Sequence, residues 1–289
     1  MSGFIGYTIP MSIHIDPHLL QHYKRVARLL ENLQPQGEPW AVVSPKSREP
    51  RGDIIVFPGS FNPPTLAHLA MLREARAYAD RRDGGNWQVY AALSKHIVDK
   101  EAVERMTLLD RVVLLENVLA KHVRHAGIIL LNRGLYVEQA EGIRAAFPQV
   151  RRLYFLVGFD KIVQILDPRY YDDRDSALRE LFALAGLLVA PRGNDGEREL
   201  QELLAHAENR PFARFIHSLP LEERYRNVSS TEVRVAATLE SVPREVRDFI
   251  QRTCPYAPIS REENGEEYDR YAERTRELQR LLATGFGGI

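Results

Sequence analysis

The sequence predicts an α/β fold, a doubly wound parallel sheet with helices on both faces. Three observations predict it. Between about residues 53 and 255, short apolar runs alternate with segments of helical periodicity, in the order that strand–helix–strand units require. Most of these runs are continuous Val, Ile, Leu, Phe or Tyr, as strands covered on both faces should be. At 289 residues the chain can bury a sizeable core without disulfide or metal staples.

Taken in order, the first element is a helix that opens at Asp16-Pro17. Asp16 is the cap, proline takes the first position, and Leu19, Leu20, Tyr23, Val26, Leu29 and Leu30 follow at helical spacing. The polar, breaker-rich stretch 44–52 reads as a linker, so residues 1–50 are expected to form a helical extension and linker. Strands are expected at 54–57, 88–93, 127–131, 153–157, 186–190 and 214–217. Helices are expected between them at 66–79, 103–122, 136–147, 176–184 and 197–207. This alternation assigns 51–256 to the α/β domain. Residues 257–289 are charged, and Tyr268, Tyr271, Leu278, Leu281 and Leu282 give them weak helical periodicity, as either a docked helix or a tail.

Composition bounds the partners. Thirty-nine Lys and Arg balance thirty-nine Asp and Glu, so no overall field favours a nucleic acid polymer or an anionic membrane. A phosphate site would have to be built locally. The lone Cys254 excludes an internal disulfide and a Cys-rich metal site. With no secretory signal and no long apolar stretch, the expected location is cytoplasmic; nothing in the sequence fixes whether copies assemble as a homo-oligomer. Phosphate-loop, dinucleotide, nucleophile-elbow and zinc-protease signatures do not occur.

Chemistry concentrates in two places. Ile54-Ile55-Val56-Phe57 runs into Pro58-Gly59-Ser60-Phe61-Asn62-Pro63-Pro64, and a helix starts near Thr65. Open α/β sheets bind ligands at such a strand-to-helix turn, because outward amides at a helix start suit phosphate. Gly59 would let a phosphate approach the backbone, Thr65 is a plausible cap, and His68 sits one turn into the helix. Downstream, Ser229 and Glu232 form a capping box in Asn227-Val228-Ser229-Ser230-Thr231-Glu232-Val233-Arg234. Ser230, Thr231 and Arg234 add hydroxyls and a fork-shaped cation at the same positive helix end.

The first segment resembles the G-S-F-N-P-x-T-x-x-H signature of the nucleotidyltransferase superfamily, in the form of eukaryotic-type nicotinamide mononucleotide adenylyltransferases. Ala67 stands where many bacterial members have glycine. The second segment resembles the I-S-S-T-x-x-R motif, with Val228 for isoleucine. The resemblance implies a Rossmann-like sheet and an ATP site in which Gly59, Ser60, Phe61, Thr65, Ser229, Ser230 and Thr231 bind phosphate. By the same resemblance, Gly158 of Gly158-Phe159-Asp160 admits the nucleoside and Asp160 binds it. It makes Lys100 the phosphate-reaching lysine of the loop after the second strand, with Lys95 behind it. Arg192 and Asn194 match part of a V-x-R-x-G-N-D stretch and, with Tyr136 and Gln139, are assigned to the mononucleotide. Relatives carry Trp-x-x-Thr where this chain has Tyr136-x-x-Gln139, which leaves the acceptor base open between nicotinamide and nicotinate.

The expected function is adenylyl transfer from ATP to that mononucleotide, giving a dinucleotide and pyrophosphate. His68, Lys100 and Arg234 would stabilise charge, and Mg2+ would be held mainly by the substrate phosphates. The same parts could serve another phosphate acceptor, such as phosphopantetheine, or a nucleotide-binding module without turnover.

Overall fold

Asp16 caps the first helix as its sequence requires. Its carboxylate accepts from the amides of His18 and Leu19, and proline fills the first turn of α1 (Pro17–Asn32). The computed structural model describes residues 15–82, 87–95, 105–236, 238–261 and 267–284. After α1 come β1 (Ala41–Val43), β2 (Gly52–Pro58), α2 (Leu66–Asp80), β3 (Trp87–Ser94), α3 (Leu108–His122), β4 (Ala126–Leu131) and α4 (Tyr136–Ala146). The second half contains β5 (Val150–Gly158), α5 (Phe159–Leu166), α6 (Arg174–Leu184), β6 (Gly186–Ala190), α7 (Glu197–Ala205) and β7 (Ile216–Ser218). Short helices α8 (Glu223–Arg226) and α9 (Ser230–Ala236), then α10 (Arg244–Thr253), a small ladder of β8 (Ser260–Arg261) with β9 (Glu267–Tyr268), and α11 (Arg270–Ala283) complete it.

The main sheet has seven strands in the order β1-β4-β3-β2-β5-β6-β7. All neighbours from β4 to β7 are parallel, and β1 runs antiparallel along the β4 edge with Ala41 opposite Leu131. From β2 the chain winds outward through β3 to β4, returns beside β2 as β5, and winds the other way through β6 to β7. The direction therefore reverses between β2 and β5, where the carboxyl ends of adjacent strands part into a crevice.

Side chains alternate across each strand, so two apolar cores result. Ile55, Phe57, Val89, Leu93, Leu130 and Leu156 face α1, α2, α3, α10 and α11. Ile54, Val56, Ile129, Phe155, Val157 and Val189 face α4, α5, α6 and α7. Helices on both faces of a mostly parallel sheet make this the doubly wound, Rossmann-like fold that the sequence predicts.

Several expectations need correction. The strand at Ala41–Val43 was not expected, because three residues beside Pro39 and Trp40 are too few to show a period; its pairing partner, β4, lies ninety residues on in sequence. The helix expected from 103 begins at Leu108, where the Thr107 hydroxyl accepts from the Asp110 amide; residues 103 and 104 lie outside the described set. The strand expected at 214–217 starts at Ile216, since Arg210–Phe215 forms a 3-10 helix. The C-terminal periodicity is that of a docked helix, α11.

Asp110 explains how α11 docks. Its carboxylate is buried on α3 and accepts from Tyr23 of α1 (2.8 Å), Tyr271 of α11 (2.7 Å) and, at both oxygens, from the Arg274 guanidinium (2.7 and 2.9 Å). One turn and a half along the same helix, Glu116 meets His22 of α1 in a second buried pair. A buried ion pair adds little over a well-packed apolar substitute, but removing one partner strands the other charge. Asp110→Ala should therefore lower the unfolding free energy by about 3–5 kcal/mol, measured by urea denaturation. A loss within error of zero would show that Arg274 finds other partners.

Candidate active site

The site begins where β2 stops. The Gly59 amide still donates to the Ala92 carbonyl (3.0 Å), and then the chain leaves the sheet. A Cβ on Gly59 would come within 3.1 Å of the Phe61 ring, so the glycine makes room for that ring. Phe61 itself has φ 45 and is fully buried, its ring 5.5 Å from Phe57 and 5.0 Å from His68 between centroids. The Asn62–Pro63 peptide bond is cis.

Thr65 caps α2 as expected, but its partner was not foreseen. The His68 amide donates to Thr65 Oγ1 (3.4 Å), while the Thr65 amide donates to His68 Nδ1 (3.0 Å). Histidine thus fills the place in the capping box that Glu or Gln usually holds. A ring nitrogen that accepts from an amide carries no proton, so the remaining proton of the neutral ring sits on Nε2. Burial of the ring, helped by the Arg192 charge, holds its pKa down to about 4. At neutral pH His68 is an uncharged donor.

The second motif lies directly against the first. The Ser229 hydroxyl accepts from the Glu232 amide (3.2 Å) and Glu232 reaches back to the Ser229 amide (3.3 Å), which is the capping box expected there. Ser230 Oγ donates to the Pro63 carbonyl (2.8 Å), and Arg234 Nη1 donates to the Asn62 carbonyl (2.6 Å), with Nη2 on Thr231 Oγ1 (3.2 Å). Two further side chains hold the same loop: Arg111 donates to the Ser60 carbonyl (2.9 Å) and Tyr256 to Asn62 Oδ1 (2.6 Å). Sequence reasoning assigned no role to Arg111, Asn62 or Tyr256. For Arg111 there was a signal, a cation on the apolar helix Leu108–His122.

Across the crossover, Gly158 ends β5 and caps α5, and a Cβ there would meet no heavy atom within 4 Å. This glycine borders open space. Asp160, on the first turn of α5, pairs with Arg192 beyond β6 at 2.7 Å. Arg192 and Asp195 close a tight turn through Gly193, whose φ of 55 suits glycine; Asn194 is exposed at its tip. The crossover thus draws together residues from the turns after β2, β5 and β6 and from the start of α9. The remaining candidates follow β3 and β4 in the chain, Lys95 and Lys100 after β3 and Tyr136 and Gln139 on α4. Tyr136 stacks edge-on against Phe155 at 5.3 Å, and burial pushes its phenol up. Gln139 Nε2 donates to Ser94 Oγ (3.1 Å) and the Gly134 carbonyl (2.9 Å). Lys95 is tied back to the Leu30 carbonyl at the end of α1 (2.7 Å), and Lys100 lies outside the described residues.

Among the described residues no helix is long and apolar enough to cross a membrane. The profile of the cytidylyltransferase-like family matches residues 56–236, from inside β2 to the end of α9. A Schizosaccharomyces pombe protein named "Putative nicotinamide mononucleotide adenylyltransferase" is 27% identical over 146 residues, 50% of this chain and 55% of that protein. The chain thus matches about half the length of this curated relative. The family match takes in more than half of the chain and encloses both of the motifs that touch at the crossover; the chain belongs to the cytidylyltransferase-like family, among the nucleotidyltransferases.

Proposed function

We propose that this chain joins a nicotinamide or nicotinate mononucleotide to the adenylyl group of ATP. The observation that carries the proposal is the contact between the two helix-start motifs, Ser230 on Pro63 and Arg234 on Asn62, beside the neutral ring of His68. It brings the start of α9, with Thr231 and Arg234, against the turn that leads into α2. A triphosphate lying there would meet partial positive charge from two sides.

The reaction needs no protein nucleophile, since a 5′-phosphate is already ionised at neutral pH. An oxygen of the acceptor phosphate forms a bond to the α-phosphorus of ATP. The bond from that phosphorus to the bridging oxygen breaks, and pyrophosphate leaves with the electron pair. The work of the protein is positioning and charge stabilisation. His68 donates from Nε2, Arg234 supplies a fixed cation, and Gly158 leaves room for the nucleoside that Asp160 and Arg192 border. In this reading magnesium would be held mainly by the substrate phosphates, where it would neutralise charge. Lys100 keeps its proposed role as a phosphate-reaching lysine, and Tyr136, Gln139 and Asn194 theirs around the acceptor.

The relative's name adds support for the acceptor class, and the reading is tested directly. Protein incubated with ATP, magnesium and each mononucleotide should yield a dinucleotide and pyrophosphate by chromatography; no product from either acceptor would sink the assignment. His68→Ala should lower kcat/KM by about 100-fold or more, the size of losing one transition-state donor. Its cost in stability should stay near the ~1 kcal/mol of a helix cap.

Two further outcomes follow from the site's geometry. Gly158→Ala adds a Cβ into open space, so the melting temperature should hold while KM for ATP rises; an unchanged KM would remove the nucleoside from that spot. A histidine whose pKa is lowered in the fold stays neutral while the unfolded chain takes up a proton below about pH 6.5. Its stabilising effect is complete above that pH and is lost as pH falls toward about 4. Urea titrations should show a shallower loss of stability over this window in His68→Gln than in the parent chain.

A further inference from the structure

The crossover site lies at the carboxyl ends of the parallel strands. The opposite end of the sheet holds a separate cavity of about 950 Å³. Gly52, Trp87 and Ala126, the first residues of β2, β3 and β4, form part of its wall, so it opens under the middle of the sheet. No residue named above for the proposed reaction lines it.

Its lining is strongly one-signed in a chain whose formal charges balance. Lys46, Arg48 and Arg51 come from the β1–β2 connection, Arg76 from α2, Arg124 and His125 from the α3–β4 turn, and Arg151 from β5. Asp80 is the only carboxylate among the described residues of the lining, and Arg76 already holds it at 2.6 Å. Of the carboxylates next to lining residues in sequence, Glu49 is exposed outside the lining and the buried Asp53 is held by Arg152 at 2.5 Å.

The ordinary explanation for cations at this end of a parallel sheet is that they complement the negative carboxyl ends of helices. It accounts for part of the set. Arg76 also donates to the Trp87 carbonyl (2.8 Å), Arg124 donates to His125 Nε2 (3.1 Å), and Arg151 lies 3.8 Å from Asp53. Lys46, Arg48 and Arg51 sit on no helix, and their side chains have no hydrogen-bond or ion-pair partner among the described residues.

The backbone that carries these cations is nevertheless fixed. Tyr90 OH donates to the Arg48 carbonyl (3.0 Å), and the Arg51 amide donates to Gln88 Oε1 (2.7 Å). Gln88 Nε2 reaches the Glu49 carbonyl (3.3 Å), and Ser47 Oγ accepts from the Ile128 amide (2.7 Å). Side chains of β3 and the backbone of β4 thus hold three unmatched cations at the rim of a concave, positive bowl. Concentrated charge of one sign around a recess raises the local concentration of a multivalent counter-ion.

We propose that this bowl binds a small oligophosphate, an inorganic phosphate chain or the phosphate tail of a nucleotide, at a second site separate from the crossover. Recess and charge favour a compact polyanion over an extended strand of nucleic acid, which would need a basic track across the surface. Lys46, Arg48 and Arg51 grip the phosphates, and Arg124 and Arg151 supply the opposite wall.

The test uses the full chain with Trp40→Phe, which leaves Trp87 as the only tryptophan and as a reporter in the cavity wall. Tripolyphosphate and magnesium-free ATP are titrated in separate arms, followed by Trp87 fluorescence and by calorimetry. The expected result is saturable binding that changes Trp87 emission, weakens as salt rises, and falls about tenfold or more in Arg48→Glu with Arg51→Glu. Lys46→Glu alone should weaken it in the same direction. Dinucleotide synthesis should persist in all of these variants, so failure here and failure of the proposed reaction are separable.

Several results would overturn the site: no Trp87 response at millimolar ligand, equal affinity in the charge-reversed variants, or loss of all binding in His68→Ala. Tighter binding of a single-stranded oligonucleotide than of tripolyphosphate, through the same three residues, would overturn the ligand class.

Discussion

Everything at the proposed site depends on one short contact between distant segments. The loop that leaves β2 turns its carbonyl oxygens toward α9, and Ser230 and Arg234 donate to two of them. Residues 167 and 172 positions apart are thereby locked together. A carbonyl at a tight turn cannot enter the sheet ladder and needs a donor elsewhere when buried. The second motif supplies that donor, so the α9 start is held to the turn by hydrogen bonds as well as by packing. Arg111 and Tyr256 extend the arrangement to α3 and to the segment after α10.

The fold makes this contact possible by its winding. With β2 and β5 adjacent at the centre, the turns after β2, β5 and β6 open on the same side, and both helix layers can reach the crevice. The capping box of α2 then sets the chemistry of His68. Because its Nδ1 is taken by the Thr65 amide, the ring is fixed in tautomer before any ligand arrives, and burial keeps it uncharged. Rigid donors of this kind need no rearrangement at the moment of reaction.

Much of the frame was legible from residue type and period. The central strands are continuous apolar runs, and each was found within a few residues because a strand buried on both faces leaves a signal that does not depend on its neighbours. The capping boxes were legible as chemistry, Ser229 with Glu232 in full and Thr65 in part. His68 as its partner was not, since histidine can enter such a box or simply face solvent. Strand β1 was missed because three residues carry no period and its pairing depends on β4 far away. Arg111 and Tyr256 were missed for a related reason: they act on backbone oxygens, and a sequence does not show which oxygens remain unsatisfied. Gly59, read as room for a phosphate, also makes room for the Phe61 ring, a neighbour that residue type alone does not show.

Asp110 carries a meaning beyond the docking of α11. Tyr23 comes from the first helix and Arg274 and Tyr271 from the last, and all converge on a single carboxylate. Interactions that share a partner do not contribute independently, so loosening either terminal helix weakens the hold on the other. The two ends of the described chain therefore behave as one cooperative unit laid across α3, and α3 also bears Arg111, which holds the turn after β2. Loosening of α1 or α11 is thus coupled through α3 and Arg111 to the turn after β2.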